Sequence, residues 1–284
     1  MTPFAVVVLL AIAASACAWL ASLVSGDTSW VDRLWSILPV AYAWVFACAA
    51  RLGNIRLDVM AGLASVWGAR LTFNLARKGG YSGVEDYRWT VLRARMRPWR
   101  FQLFNLFFIV IYQNVLLVLI SLPSRTAYEH GTTAFGPLDL IVTVLFLACT
   151  FGETVADGQQ WRFQEQKRRE REAGRRPRRE FLTSGLFALS RHPNYFFEIA
   201  QWWLFFLFAA IAAGSLAQPT ILGAVLLSAL FVGSTRFTEG ITLSRYPQYA
   251  RYQRRTPALI PRPWRRRADA DAGLEQPSRR STQR

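Results

Sequence analysis

A chain of 284 residues, 52% of them hydrophobic, is long enough for two soluble domains or one membrane domain. Its formal net charge of +16 would suit a nucleic-acid binder, but the basic residues gather at 77–100, 162–191 and from Arg236 onward, each time after an apolar run. That placement marks membrane topology, and nucleic acid is set aside as a partner.

Seven apolar runs, at about 3–25, 34–52, 57–76, 101–122, 136–157, 195–213 and 219–236, each have the length that crosses a bilayer. The expected fold class is therefore all-α: a polytopic membrane protein with about seven transmembrane helices. The first run has no Lys or Arg at its start and is longer than the usual core of a signal peptide, so it is read as a span. The basic segments follow the third, fifth and seventh runs, which puts them on one side. The positive-inside rule makes that side cytoplasmic, with the N-terminus outside and the C-terminus inside. Arg51 and Arg56, in a short outer loop, dissent. The remaining basic surplus is expected to meet anionic lipid headgroups.

One membrane domain with its cytosolic loops is expected over 1–264, followed by a basic and polar tail, 265–284, with too little apolar surface to fold. Arg162 to Glu180 reads as a charged continuation of the fifth helix, broken near Gly174 and Pro177. "SRYPQYARYQRRTPALIPRPW", Ser244 to Trp264, reads as an ordered cytosolic flap. Cys17, Cys48 and Cys149 lie inside apolar runs and read as small buried side chains. They lack paired ligand spacing, and His130 and His192 fall on opposite sides, so no metal site is expected.

Ionisable residues at membrane depth are costly and mark candidate sites. In the second and fourth runs, Tyr42, Tyr112, Gln113 and Asn114 are possible substrate contacts or ordinary interhelical hydrogen bonds. On the third, Arg70, Asn74 and Arg77 run toward the cytosol; Arg70 needs a partner, for which an acid on the fifth helix is the candidate, and serves either structure or a phosphate. "EDYRW", Glu85 to Trp89, either clamps a cofactor or bridges to the headgroups. On the fifth run, Glu153, Asp157, Gln160, Gln164 and Lys167 are spaced to share one helical face and to line a cleft. In "SRHPNYFFEIAQWW", Asn194 is a suitable helix cap, and Asn194, Glu198 and Trp202 recur every four residues. The free amides of such a helix start favour anions, with Arg191 and His192 adding donors.

These residues carry a resemblance. "WGARLTFNLARKGGYSGVEDYRW", "ETVADGQQWRFQEQK", "SRHPNYFFEIAQWW" and "RYQRRTPALIP", spread over most of 30–264, resemble the steroid 5α-reductase C-terminal-domain superfamily, and within it a bacterial branch of uncharacterised membrane proteins. The resemblance implies a seven-helix reductase holding NADPH at the cytoplasmic ends of the later helices. Asp157 matches a cofactor-contacting aspartate, and Asn194 and Glu198 match the Asn and Glu of an "N-x-x-G-E" element. Arg191, His192 and Tyr195 flank that element as weaker matches, and Tyr246, Tyr249 and Tyr252 resemble the region that closes over the cofactor; Gln160, on the polar stripe with Asp157, is assigned to the same seat. Phe197 stands where the element has glycine. The Glu–Tyr pair that polarises a steroid ketone has no matching glutamate in "WSILPVAYAW".

The resulting expectation is an NADPH-dependent reductase that transfers hydride to the polarised C=C of a lipophilic, enone-type substrate (steroid-like or another lipid) drawn from the bilayer. Tyr42 and Tyr112 are the candidate catalytic donors. An S-adenosylmethionine-dependent enzyme like the isoprenylcysteine methyltransferases is the alternative, although "RFTEGITL" has Glu239 followed by Gly240 where that family pairs two glutamates. A non-catalytic membrane scaffold is the third reading. The Arg/Ala-rich composition suits a bacterial inner membrane, with the endoplasmic reticulum as the eukaryotic counterpart, and no feature fixes an oligomeric state.

Overall fold

The computed structural model describes residues 1–262, and the tail expected at 265–284 lies outside the described residues. The described residues form helices and no strand. In chain order these are α1 (Pro3–Ser25), α2 (Trp30–Trp35), α3 (Leu38–Ala49), α4 (Ile55–Arg77), α5 (Tyr87–Arg95), α6 (Pro98–Phe104), a π-helix (Asn105–Tyr112), α7 (Gln113–Ser121), α8 (Pro123–Glu129), α9 (Pro137–Glu172), a short 3-10 helix (Gly185–Ala188), α10 (Pro193–Ala213), α11 (Ile221–Arg245) and α12 (Tyr249–Arg255).

Six stretches are long and apolar enough to cross a membrane: Pro3–Ser25, Trp30–Ala49, Pro98–Glu129, Pro137–Glu172, Pro193–Ala213 and Ile221–Arg245. The run at 57–76 also becomes a helix, the 23-residue α4. Arg56, Asp58, Arg70 and Arg77 lower its hydropathy, so composition supports six spans among the described residues where the apolar runs suggested seven. Local chemistry sets the ends. Thr2 accepts from the amide of Ala5 ahead of Pro3, and Gly26, at φ 69°, turns the chain out of α1. Asn54 caps α4 by accepting from Leu57, and Asp86 caps α5 by accepting from Arg88.

The chain divides into two compact units. Among the described residues, the first contains Met1–Phe151 and Phe197–Ser234, and the second contains Gly152–Phe196 and 235–262. The core of the first unit includes Tyr42, Phe46, Met60, Trp67, Leu117, Phe146, Trp202, Phe205 and Phe208, with a smaller cluster of Ala18, Val31, Trp89, Ile109 and Val110. Its outer faces present Leu9, Ile12, Phe73, Phe107, Val144 and Phe151, surface that a bilayer covers and water would not. Cys17 and Cys48 also lie exposed on such faces, and Cys149 is half-buried, so the expectation that all three are buried is corrected. Small side chains inside an apolar run satisfy lipid as well as they satisfy a core.

Arg56 is no loop charge. It lies in α4, 1% exposed, and makes a bidentate ion pair with the wholly buried Asp139, Nε to Oδ1 at 2.7 Å and Nη2 to Oδ2 at 2.8 Å. Its guanidinium also donates to the carbonyls of Thr133 and Ala134, and the amide of Gly136 donates to Asp139. A neutral, fully hydrogen-bonded pair has no weight in the positive-inside balance, which removes half of the dissent seen in the sequence.

Close approach in this unit depends on glycine. A Cβ on Gly68 would lie 2.5 Å from the carbonyl oxygen of Ser36 and 2.6 Å from Val40 Cγ2. The nearest atom is backbone and cannot swing away. Gly68→Ala is therefore expected to cost about 1–3 kcal/mol of overpacking, more than the roughly 1 kcal/mol gained in helix propensity. The readout is a lower unfolding midpoint in detergent; an unchanged or higher midpoint would contradict this packing.

In the second unit, Lys167 on α9 donates to the carbonyl of Glu180 at 2.6 Å, and the amide of Leu186 donates to Gln159 at 2.9 Å. Gly174, at φ 69°, follows the end of α9, close to the expected break. Phe181 packs against Tyr246, Tyr249 and Tyr252. Of the expected flap, 244–262 falls within the described residues. It consists of α12 and a strap, 256–262, whose carbonyls at Pro257 and Ala258 accept from the amides of Arg191 and His192 at 2.9 and 3.0 Å.

Candidate functional site

The second unit is organised around one carboxylate, that of Glu239 on α11. Five donors face it. Arg191 Nε donates to Oε1 at 2.6 Å and Arg191 Nη2 to Oε2 at 2.9 Å. His192 Nε2 lies 3.0 Å from Oε1, Gln253 Nε2 is 2.9 Å from Oε2, and the Tyr249 hydroxyl is 3.3 Å from Oε1. Arg191 Nη1 donates to the carbonyls of Gln253 and Thr256 as well. Burial works against the Arg191 charge, but the hydrogen bond and the charge of Glu239 outweigh it and hold its pKa above the ordinary arginine value. Burial, then the charge of Glu239, pushes the Tyr249 pKa up; burial and the adjacent Tyr249 do the same for Tyr252. Both phenols remain donors, Tyr252 to the carbonyl of Phe187.

This arrangement changes the reading of the "RHPN" stretch. The helix begins at Pro193, and the carbonyl of His192 accepts the first helical bond, from Phe196 at 3.1 Å. His192, not Asn194, therefore takes the capping position. The reason is Pro193: it needs no amide partner at the first helical position, and its fixed φ starts the helix there. The backbone amides of Arg191 and His192, just ahead of the helix, are bonded to the strap. The side chains of Arg191 and His192 are bound to Glu239, and His192 stacks on Tyr195 with ring centroids 5.2 Å apart.

Of the other residues matched to a cofactor, Asp157 is buried on α9 and Gln160 half-buried one turn on. In the same stripe Glu153 and Lys167 are buried and Gln164 is exposed, so the stripe does not present one uniform face. Tyr246 lies beneath the Lys167 ammonium, 5.4 Å from the ring centroid. The side chains of Asn194 and Gln160 form no hydrogen bond among the described residues.

Glu198 falls in the first unit, inside a cage of its own. Trp67 Nε1 donates to Oε2 at 2.9 Å, Trp202 Nε1 donates to Oε1 at 3.0 Å, and Arg70 Nη2 lies 3.4 Å from Oε2. The two indoles meet edge to face at 4.9 Å. Arg70 thus finds its acid on α10, where the sequence pointed to the fifth apolar run. Asn74 accepts from Arg77 at 2.9 and 2.6 Å, a local bond within α4. Glu85 accepts from Thr28 and Arg93, tying "EDYRW" to the α1–α2 turn. Tyr42 is wholly buried on α3, while Tyr112 is half-buried and stacks on Phe108 at 5.3 Å.

Two participants were not legible as such. Glu239 stood out only as half of a methyltransferase signature, and Trp67 only as part of a motif. The one sequence signal for Trp67 was its place one turn from Arg70.

A dinucleotide needs donors for its phosphates and acceptors for its ribose and amide groups. Asp157, Gln160 and Asn194 fit those demands: one buried carboxylate and two carboxamides with hydrogen-bonding capacity. Arg191 does not fit as a phosphate ligand, because Glu239 and two carbonyls already hold its guanidinium.

A family model described as a protein of unknown function (DUF1295) matches residues 18–256. A protein of Schizosaccharomyces pombe (strain 972), itself described as uncharacterized, is 39% identical over 275 residues, covering 92% of this chain and 80% of that protein. No solved structure matches the chain.

Proposed function

The chain belongs to the DUF1295 family, a steroid 5α-reductase-like family, and on that premise we propose an NADPH-dependent membrane reductase of a lipophilic, enone-type substrate. The supporting observation is that the residues this reading assigns to the cofactor, Asp157, Gln160, Asn194, Tyr195 and Tyr246, all fall in the second unit, while Glu198 falls in the first. Sequence separation would not bring residues 157, 194 and 246 into one compact unit by itself.

In this reading Asp157, Gln160 and Asn194 hold the nucleotide, with Tyr195 and Tyr246 as aromatic surfaces. Arg191 and His192 act from behind: with Glu239 they fix the turn that carries Asn194. Glu198 anchors the start of α10 through Trp67, Trp202 and Arg70. When bound, NADPH supplies a hydride. As hydride adds to the β-carbon, negative charge would develop on the substrate oxygen, where Tyr42 or Tyr112 would stabilise it by donating a hydrogen bond, and the α-carbon would then take up a proton. The substrate enters from lipid, and membrane lipids surround the six apolar helices.

The proposed orientation places the N-terminus outside and the second unit, with its arginines, on the cytoplasmic side. The composition suits a bacterial inner membrane, with the endoplasmic reticulum as the eukaryotic counterpart; the relative reported above is from fission yeast. A methyltransferase that used Glu239 for S-adenosylmethionine would have to dismantle the five-donor network first, which disfavours that reading.

Equilibrium dialysis of radiolabelled NADPH against the protein in nanodiscs tests the seat. Asp157→Ala and Asn194→Ala are each expected to weaken binding about tenfold or more, the loss of one hydrogen bond in a site of this kind. Undiminished binding by both variants would remove these residues from the seat, and absence of NADPH binding by the intact protein would defeat the proposal.

A further inference from the structure

We propose that the core of the first unit contains a hydroxyl-recognition seat, formed by the Tyr42 hydroxyl and the Asn114 side-chain oxygen, that receives the alcohol group of a lipophilic molecule. Both residues are deeply buried, Tyr42 at 0% and Asn114 at 1% exposure. Neither the Tyr42 hydroxyl nor the Asn114 oxygen has a hydrogen-bond partner among the described residues. They lie on α3 and α7, which pack against each other within one apolar core that includes Phe46, Met60, Leu116 and Leu117.

Leaving a buried polar atom unpaired is costly, and native interiors rarely do so without a reason. For Tyr42 the cheap remedy, phenylalanine, would keep the ring and its packing and lose only the hydroxyl. For Asn114 the orientation is fixed: Nδ2 donates to the carbonyl of Val110 at 2.8 Å, so the amide oxygen is the atom left over. Val110 belongs to the π-helix that runs directly into α7. A π-helical stretch carries a wider turn than the α-helix and recurs at functional sites.

The two leftover atoms are complementary in kind. A phenol donates and an amide oxygen accepts, so the group that satisfies both must itself accept and donate. A hydroxyl does this. A bare ketone accepts from Tyr42 and leaves Asn114 unpaired, and a hydrocarbon leaves both. The inference rests on the reading of the first unit as the place that receives the lipophilic substrate, and it specifies that substrate as one bearing a hydroxyl group; it engages Tyr42 with that hydroxyl and so leaves Tyr112 as the donor to the enone oxygen. It needs no cofactor, so it is tested without one and fails separately from the reductase proposal.

The test uses the full chain in nanodiscs, without nucleotide, and two matched probe sets: dodecanol, dodecanone and dodecane, and cholestanol, cholestanone and cholestane. Binding is measured by scintillation proximity, and unfolding midpoints are recorded alongside. In at least one set the alcohol is expected to bind about tenfold more tightly than its ketone. Tyr42→Phe and Asn114→Leu should each abolish that preference, and the double variant should do no more than either single one, because one hydroxyl joins both atoms. Without probe, Tyr42→Phe should raise the midpoint, since it removes an unpaired buried hydroxyl, which also shows that the variant folds. Equal binding of alcohol, ketone and hydrocarbon by the intact protein would overturn the seat. So would a preference that survives both substitutions, or losses that add in the double variant. Higher midpoints in the variants without any alcohol preference would identify the pair as a site for internal water only, and would also overturn it.

Discussion

Arg56→Ala is expected to cost about 3–5 kcal/mol, the penalty for leaving one member of a buried ion pair without the other. The abandoned Asp139 carboxylate would keep only the Gly136 amide as a donor from this network, in surroundings where water does not replace the lost guanidinium. The carbonyls of Thr133 and Ala134 would lose their donor too. Against a total stability of about 5–15 kcal/mol for ordinary domains, this is enough to depopulate the fold. Asp139→Ala should be equally severe. The double substitution Arg56→Met with Asp139→Leu should recover most of the loss, because removing both charges restores an apolar interior instead of stranding an ion. Denaturant titration in mixed micelles reads all three; a single variant as stable as the intact protein would contradict the structural role of the pair.

Glu239→Ala is expected to be of similar size, about 3–5 kcal/mol, but confined to the second unit. Arg191 would be left largely buried with only carbonyl acceptors, and His192, Gln253 and Tyr249 would lose their common partner. The consequence is a local opening. Hydrogen exchange should accelerate at the amides of Arg191 and His192, which the strap now protects, and in α12, while the core around Trp67 and Phe146 keeps its protection. Glu239→Gln should lie between, since an amide still accepts but carries no charge for Arg191. Uniform acceleration through both units, or none in either, would show that Glu239 does not have this local role.

The bilayer-crossing helices were legible because apolar runs of spanning length leave few alternatives. α4 was legible as a helix, but its charges were not interpretable, since pairing lies across the chain. Arg56 finds Asp139 beyond five intervening helices in sequence, α5, α6, the π-helix, α7 and α8, and Arg70 finds Glu198 on α10, where helical spacing on α4 says nothing about either. Asn194 misled as a cap because local propensity favours Asn there, whereas Pro193 fixed the helix start two residues earlier than an Asn194 cap would have it. The resemblance picked out residues that mostly fall in one unit, but it could not show that Arg191 and His192 are held by Glu239, because their partner is on another helix. The π-helix at Asn105–Tyr112 left no signal in a run of apolar residues that suits an α-helix equally well.

In the proposed reading the second unit holds NADPH, and the unfolding midpoint of the detergent-purified protein with NADPH, NADH or S-adenosylmethionine tests this most directly. A ligand that binds only the folded state raises the midpoint, by the equivalent of about 2.7 kcal/mol at a hundredfold excess over its dissociation constant. The account predicts a rise with NADPH that S-adenosylmethionine does not produce and that Asp157→Ala and Asn194→Ala lose. A rise with S-adenosylmethionine alone, or none with any of the three, would contradict it.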